Sequence, residues 1–95
     1  MFDLTGMTAL VTGASGGIGS AIAKGLAAQG ARIAVSGSNE AKLAAFRDEL
    51  GGEHVAVPAN LSDSASVDAL VPAAVNALGG RLDILVNNAG ITRDN

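Results

Sequence analysis

The chain has 95 residues and a mass of 9.3 kDa, which predicts a single small domain. At 48% hydrophobic and 16% charged it reads as globular, and without cysteine it carries neither disulfide staples nor thiolate metal sites, as suits a reducing compartment. Six basic against nine acidic residues, a net charge of −3, and only Phe2 and Phe46 as aromatics argue against a nucleic-acid partner.

In chain order, Met1-Phe2-Asp3-Leu4 places an acid where a secretory leader needs basic residues. Thr8–Thr12 reads as a short buried strand ending at Gly13. From Gly17 the apolar period becomes helical, with Ile18, Ala21, Ile22, Gly25 and Leu26 as the expected core stripe and Gly30 as a left-handed cap. Lys24, Gln29 and Arg32 make the stretch 18–35 too polar for a membrane span. Arg32–Ser36 is a second strand. Asn39–Leu50 is a second helix with Leu43, Phe46 and Leu50 on one face, stopped by Gly51-Gly52. His54–Val57 is a third strand, and Ser62 or Asp63 caps a third helix. That helix carries the strongest stripe in the sequence: Val67, Leu70, Val71, Ala74, Val75 and Leu78. Pro72 costs about 3 kcal/mol in an ordinary helix interior. It shares a face with Asp68 and Asn76, away from the stripe, which predicts a kink toward solvent. Gly79-Gly80 ends the helix, and Asp83–Asn87 is a fourth strand. The order β-α-β-α-β-α-β with nearly continuous apolar strands calls for a parallel sheet with helices on its faces. A soluble, cytoplasmic chain without a membrane partner is expected.

The chemistry begins at Thr12-Gly13-Ala14-Ser15-Gly16-Gly17-Ile18-Gly19. A strand runs into a turn and then into a helix N-terminus, so free N–H groups and a positive helix end converge where a pyrophosphate would sit. Gly13 permits the sharp turn, Gly17 lets phosphate oxygens approach the backbone, and Gly19 lets the helix lie close on the sheet. Gly16 and the Ser15 hydroxyl add donors. A tight loop without a ligand is the plainer alternative, but the β-α-β setting is the one a dinucleotide motif requires.

At the tip of the second strand a carboxylate would hold the ribose 2′-OH of NAD. Ser36-Gly37-Ser38-Asn39 stands there instead, so a 2′-phosphate meets no acid and finds donors in Ser38 and Asn39. This favours NADP over NAD. Lys42, one turn on, reads as a solvated helix face. Asn60, after the third strand, either reads an adenine edge or has a local role, and Asp63 reads as a cap. His54 lacks an evident partner and is expected to be structural. Asn87-Asn88-Ala89-Gly90 suits both strand stitching and close passage of backbone beside a ligand.

The two motifs together, Thr12-Gly13-x-x-x-Gly17-Ile18-Gly19 and Asn87-Asn88-Ala89-Gly90, resemble the short-chain dehydrogenases/reductases. Within that family, Leu10–Ser15 and Asn88–Asp94 are similar to the 3-oxoacyl-[acyl-carrier-protein] reductases of fatty-acid synthesis. The resemblance covers all 95 residues. It implies a Rossmann-type, doubly wound α/β fold, of which residues 1–95 form the N-terminal, cofactor-binding portion with strand order 3-2-1-4. It implies that Gly13, Ala14, Ser15, Gly16 and Ile18 line the cofactor phosphates. Ser38 would meet the adenosine ribose, Asn60 and Leu61 the adenine, and Asn88, Ala89 and Gly90 the ribose and sheet centre. Many relatives carry Arg where Gly16 stands, and this chain departs from them. The family's catalytic Asn, Ser and Tyr-x-x-x-Lys come later in the chain, and these residues hold no Tyr. The implied parent enzyme is a homotetramer that reduces an acyl-carrier-protein-linked 3-oxoacyl thioester with NADPH. This chain is expected to be inactive alone, with an uncovered edge at its fourth strand.

Overall fold

The computed structural model describes residues 3–14, 16–60 and 63–88. Seven elements alternate: β1 (Thr8–Thr12), α1 (Gly17–Ala28), β2 (Arg32–Ser36), α2 (Glu40–Leu50), β3 (Val55–Ala56), α3 (Ser64–Ala77) and β4 (Ile84–Asn87). The strands form one parallel sheet in the order β3-β2-β1-β4, the Rossmann-type arrangement expected. Thr12 lies level with Ser36 on one side and Asn87 on the other, so three strands end at one height.

Strand side chains alternate between the two faces, and that sorts the core. Ala9, Val11, Ile33 and Val35 pack with Ala23, Leu43 and Phe46 under α1 and α2. Leu10 and Ala34 meet Leu70, Ala74 and Leu78 of α3 on the opposite face. All five residues of β1 are buried, as befits a strand covered on both faces.

The helix ends follow local chemistry. Asn39 caps α2 by accepting the Lys42 N–H at 3.0 Å. Asp63 caps α3 by accepting the Ala65 N–H at 3.2 Å; Ser62, the other expected cap, lies outside the described residues. Gly30, at φ +103°, closes α1 with a Schellman pair: its N–H reaches the Ala27 carbonyl and the Ala31 N–H reaches that of Leu26. Pro72 lies within α3, which runs on to Ala77 with the proline exposed. No helix among the described residues is long and apolar enough to cross a membrane.

Four expectations change. The buried face of α1 runs through Gly19 and Ala23; of the expected stripe Leu26 packs against the core, while Ile18 is 64% exposed and Ala21 and Gly25 face solvent. Close approach at Gly19 turns the helix onto its row of small residues. The third strand is shorter than His54–Val57, because the His54 ring intervenes: its Nδ1 accepts the Ile33 N–H at 3.0 Å. The fourth strand starts at Ile84. Asp83 instead clamps the entry to β1, its carboxylate accepting the Thr8 N–H at 2.9 Å while its own N–H reaches the Thr8 carbonyl.

The α3 stripe is covered on one side only. Leu70, Ala74 and Leu78 are buried, whereas Val67 and Val71 are exposed. Leu85, beside fully buried Leu10 in the register, is 54% exposed on the same sheet face, and β4 is the edge strand among the described residues. That edge is a template for unwanted pairing. Leu85→Lys is expected to leave the melting temperature within a few degrees and to reduce self-association, measured by light scattering against concentration.

Arg47 donates from Nε to the His54 carbonyl at 3.1 Å, and Arg32 donates to the Glu53 carbonyl at 3.0 Å. Burial lowers the His54 pKa from its ordinary 6.5, and the Arg32 and Arg47 charges push the same way, against Glu53. The unfolded chain therefore binds this proton more readily than the folded one. Stability is full above the unfolded value and falls as pH drops through the lower folded value. Asp3, lowered by its hydrogen bonds with Thr5, and Asp83, lowered chiefly by Arg81, titrate below this window. The melting temperature is expected to fall between about pH 7.5 and pH 5, and His54→Gln should flatten that slope.

Candidate functional site

The strand order reverses between β1 and β4, and ligand crevices in open α/β sheets form at such a point, beyond the carboxyl ends of the strands. At this edge β1 gives way to Gly13, held at φ +64°, a conformation that β-carbon sterics discourage. The Ala14 N–H reaches the Ser36 carbonyl at 3.1 Å and fastens the turn to β2. The Gly16 N–H reaches the Gly13 carbonyl at 3.2 Å and closes the turn.

Each of the last two glycines has its own surroundings. A Cβ on Gly19 would collide with the Gly13 carbonyl oxygen and stand 2.9 Å from Asn88 Nδ2, so only hydrogen fits. Gly17 has no positive φ, and among the described residues a Cβ there would meet nothing within 4 Å. Neither its backbone conformation nor packing among the described residues demands glycine at position 17. The helix it begins is also unusual in this chain: α2 and α3 have side-chain caps, whereas Gly16 gives α1 none. The first turn of any α-helix leaves N–H groups without intrahelical acceptors. Here Gly17 and Ile18 of that turn are exposed, at the positive end of α1.

On the β4 side, the Thr12 hydroxyl lies 3.2 Å from Asn87 Oδ1 and 3.3 Å from the Val86 carbonyl, stitching β1 to β4. Asn88 is buried and donates from Nδ2 to the Gly13 carbonyl at 3.4 Å. Its Oδ1 and the Ser36 hydroxyl are buried without a hydrogen-bond partner among the described residues. An unmatched buried polar atom costs about 1–3 kcal/mol, so two of them along this edge leave bonding capacity unused.

On the β2 side, the Val57 N–H reaches the Val35 carbonyl and the Ala59 N–H the Gly37 carbonyl, which joins the β2 and β3 tips. Past them opens a cleft of about 450 Å³ lined by Ser38, Glu40, Pro58, Ala59, Asn60 and Ser66. Ser38 and Asn60, singled out separately in the sequence, thus share one cleft. The Asn60 N–H donates to the Ser66 hydroxyl at 3.1 Å. Glu40 and Ser66 are lining residues that sequence reading passed over; an acid in a first turn is ordinarily read as a partner for the helix dipole. Lys42 lines a different cleft, with Ser20 and Lys24 between α1 and α2. His54 is structural, through its bond to Ile33. Ser15, Leu61, Ala89 and Gly90 lie outside the described residues.

The residue types present suit a nucleoside diphosphate: N–H groups and open space for the phosphates, a polar cleft beside them for a sugar and base. Comparison with known proteins points the same way. The profile of the short chain dehydrogenase family matches residues 7–95. Nodulation protein G of Rhizobium sp. (strain N33) is 55% identical over 94 residues, which are 99% of this chain and 38% of that protein. The 3-oxoacyl-[acyl-carrier-protein] reductase FabG of Escherichia coli (strain K12) is 48% identical over 93 residues, 98% of this chain and 38% of that one. The chain therefore spans under two fifths of the length of both relatives. Among solved structures, the Pseudomonas aeruginosa RhlG/NADP active-site complex superposes with a TM-score of 0.82 at 43% identity, over 92% of this chain and 36% of that one. A 3-ketoacyl-(acyl-carrier-protein) reductase from Brucella melitensis complexed with NADH gives 0.79 at 38% identity, over 87% and 34%.

The glycine geometry separates structural from vacant positions. Gly19→Ala is expected to destabilise the fold by about 3 kcal/mol or more, because the neighbour that must yield is backbone. Gly17→Ala should stay within about 1 kcal/mol of the parent. Exposed Gly25, which also has nothing within 4 Å, should gain about 1 kcal/mol as Gly25→Ala. Urea unfolding of the three variants checks the order.

Proposed function

The chain belongs to the short-chain dehydrogenase family, and from that premise we propose that it is the cofactor-binding portion of an NADP(H)-dependent reductase. The observation that carries this reading is the vacancy at Gly17, in front of an uncapped helix that follows a left-handed Gly13 turn. In this reading the pyrophosphate lies against Gly13, Ala14, Ser15, Gly16, Gly17, Ile18 and Gly19, where backbone N–H groups and the positive end of α1 hold it. Ser38 meets the adenosine ribose, and Asn60 with Leu61 the adenine. Asn88, Ala89 and Gly90 border the inner ribose and the sheet centre. When bound, the dinucleotide supplies the hydride; the protein binds and orients it.

The preference for NADP rests on residues 36–39, which put hydroxyl and amide donors at the β2 tip and hold no acid themselves, the nearest being Glu40 in the first turn of α2. The proposed reaction of the parent enzyme is reduction of an acyl-carrier-protein-linked 3-oxoacyl thioester to the 3-hydroxyacyl form. It is supported by the 48% identity to the E. coli reductase. The same reading makes the parent a cytoplasmic homotetramer. The 95 residues hold no Tyr, and we assign proton donation to the carbonyl to residues outside this chain. The position of β4 at the edge of the sheet among the described residues and the half-covered α3 stripe favour a second reading, a nucleotide-binding or complementing module that never catalyses.

Two measurements test this. Titration of the chain with NADP should give saturable binding that Gly17→Val weakens roughly tenfold or more, while Gly25→Ala leaves it unchanged. Equal affinity in all three proteins would overturn the phosphate site. The chain alone should not oxidise NADPH with a 3-oxoacyl thioester. Mixing it with the separately expressed C-terminal part of a 3-oxoacyl-[acyl-carrier-protein] reductase should restore turnover if the two parts reassemble across β4.

A further inference from the structure

Resting on the dinucleotide reading above, we propose that Ser66 is a positioning residue for the adenine end of the nucleotide, its hydroxyl holding Asn60 in place for the base. A serine in the first turn of a helix is ordinarily read as part of the N-terminal cap. Here Asp63 is the N-cap of α3 and accepts the Ala65 N–H, so the helix does not call on Ser66 for that task. Ser66 Oγ instead accepts the Asn60 N–H at 3.1 Å, six residues back along the chain. Both residues line the same cleft as Ser38. Asn60 is exposed, so hydrogen bonds and not packing fix its backbone. The Asp63 N–H reaches the Asn60 carbonyl at 3.1 Å, and the Ala59 N–H ties the preceding residue to the Gly37 carbonyl beyond β2. Of these three bonds only the one from Ser66 involves a side chain, and it joins the exit of β3 to the first turn of α3.

An amide reads a base edge only when its donor and acceptor are held at hydrogen-bond distance and angle. A loop residue that must be ordered on binding subtracts that cost from the affinity, whereas a residue already held does not. The Ser66 bond holds Asn60 before a nucleotide arrives. Losing one neutral hydrogen bond of this kind amounts to roughly three- to tenfold in affinity. Because the effect passes through Asn60, it vanishes once the Asn60 side chain is gone.

Calorimetric titration of the chain, of Ser66→Thr and of Ser66→Val with NADP tests the proposal. Thr and Val share a branched shape and a similar helix propensity, and differ in the hydroxyl. Ser66→Thr is expected to bind NADP within about twofold of the parent, and Ser66→Val roughly three- to tenfold more weakly. The melting temperatures of the two variants should lie within a few degrees of each other. In an Asn60→Ala background the same two substitutions should bind NADP alike, since the side chain being positioned is absent. Equal affinity of the two variants with Asn60 intact overturns the proposal. So does a difference that persists undiminished without the Asn60 side chain, the mark of a merely structural bond. If the parent binds no NADP, the dinucleotide reading itself fails, an outcome distinct from binding that ignores Ser66.

Discussion

The contact between the Gly13 carbonyl and Gly19 governs this molecule. It sets how closely α1 lies on the end of β1, and Asn88 reaches the same carbonyl from beyond β4. One oxygen thus gathers the central strand, the first helix and the far strand. The row of small residues on α1 is buried because of this approach, and the first turn of α1 is left facing the open edge of the sheet. Any added carbon at position 19 would push the helix off the strand, and the turn that presents the N–H groups would move with it.

Most of the architecture was legible in the sequence because each element has local punctuation: Gly13 and Gly30 at turns, Asn39 and Asp63 at caps, alternating faces along β1 and β2. What was not legible came from tertiary contacts. The stripe Ile18, Ala21, Ile22, Gly25 and Leu26 is more apolar than the row Gly19, Ala23, yet apart from Leu26, which packs against the core, it is the second row that is buried, because only small residues allow the approach to Gly13. His54 looked like a strand residue until its ring accepted the Ile33 N–H that a strand partner would otherwise have taken. The α3 stripe stated correctly what needs cover, while nothing in its spacing said that Val67 and Val71 would stay open here.

The site was legible to the same degree. Gly13 and Gly19 carried their structural roles in the spacing, and Ser38 and Asn60 were identifiable as residues beyond strand ends. That they line one cleft depends on β2 and β3 being neighbours, and the cleft's charge depends on Glu40, whose position has an adequate local explanation. A residue with one sufficient reason to exist conceals a second.

The pairing of β1 with β4 has a consequence for how the molecule comes into being. Thr8 and Asp83, 75 positions apart, clasp each other at the start of that pairing, whereas β1 meets β2 across a much shorter stretch of chain. During synthesis the β3-β2-β1 side can therefore assemble first, and the central strand waits with one flank unzipped until Asp83 has left the ribosome. The turn at Gly13 is built early, but the Asn88 side chain that braces it arrives only after β4.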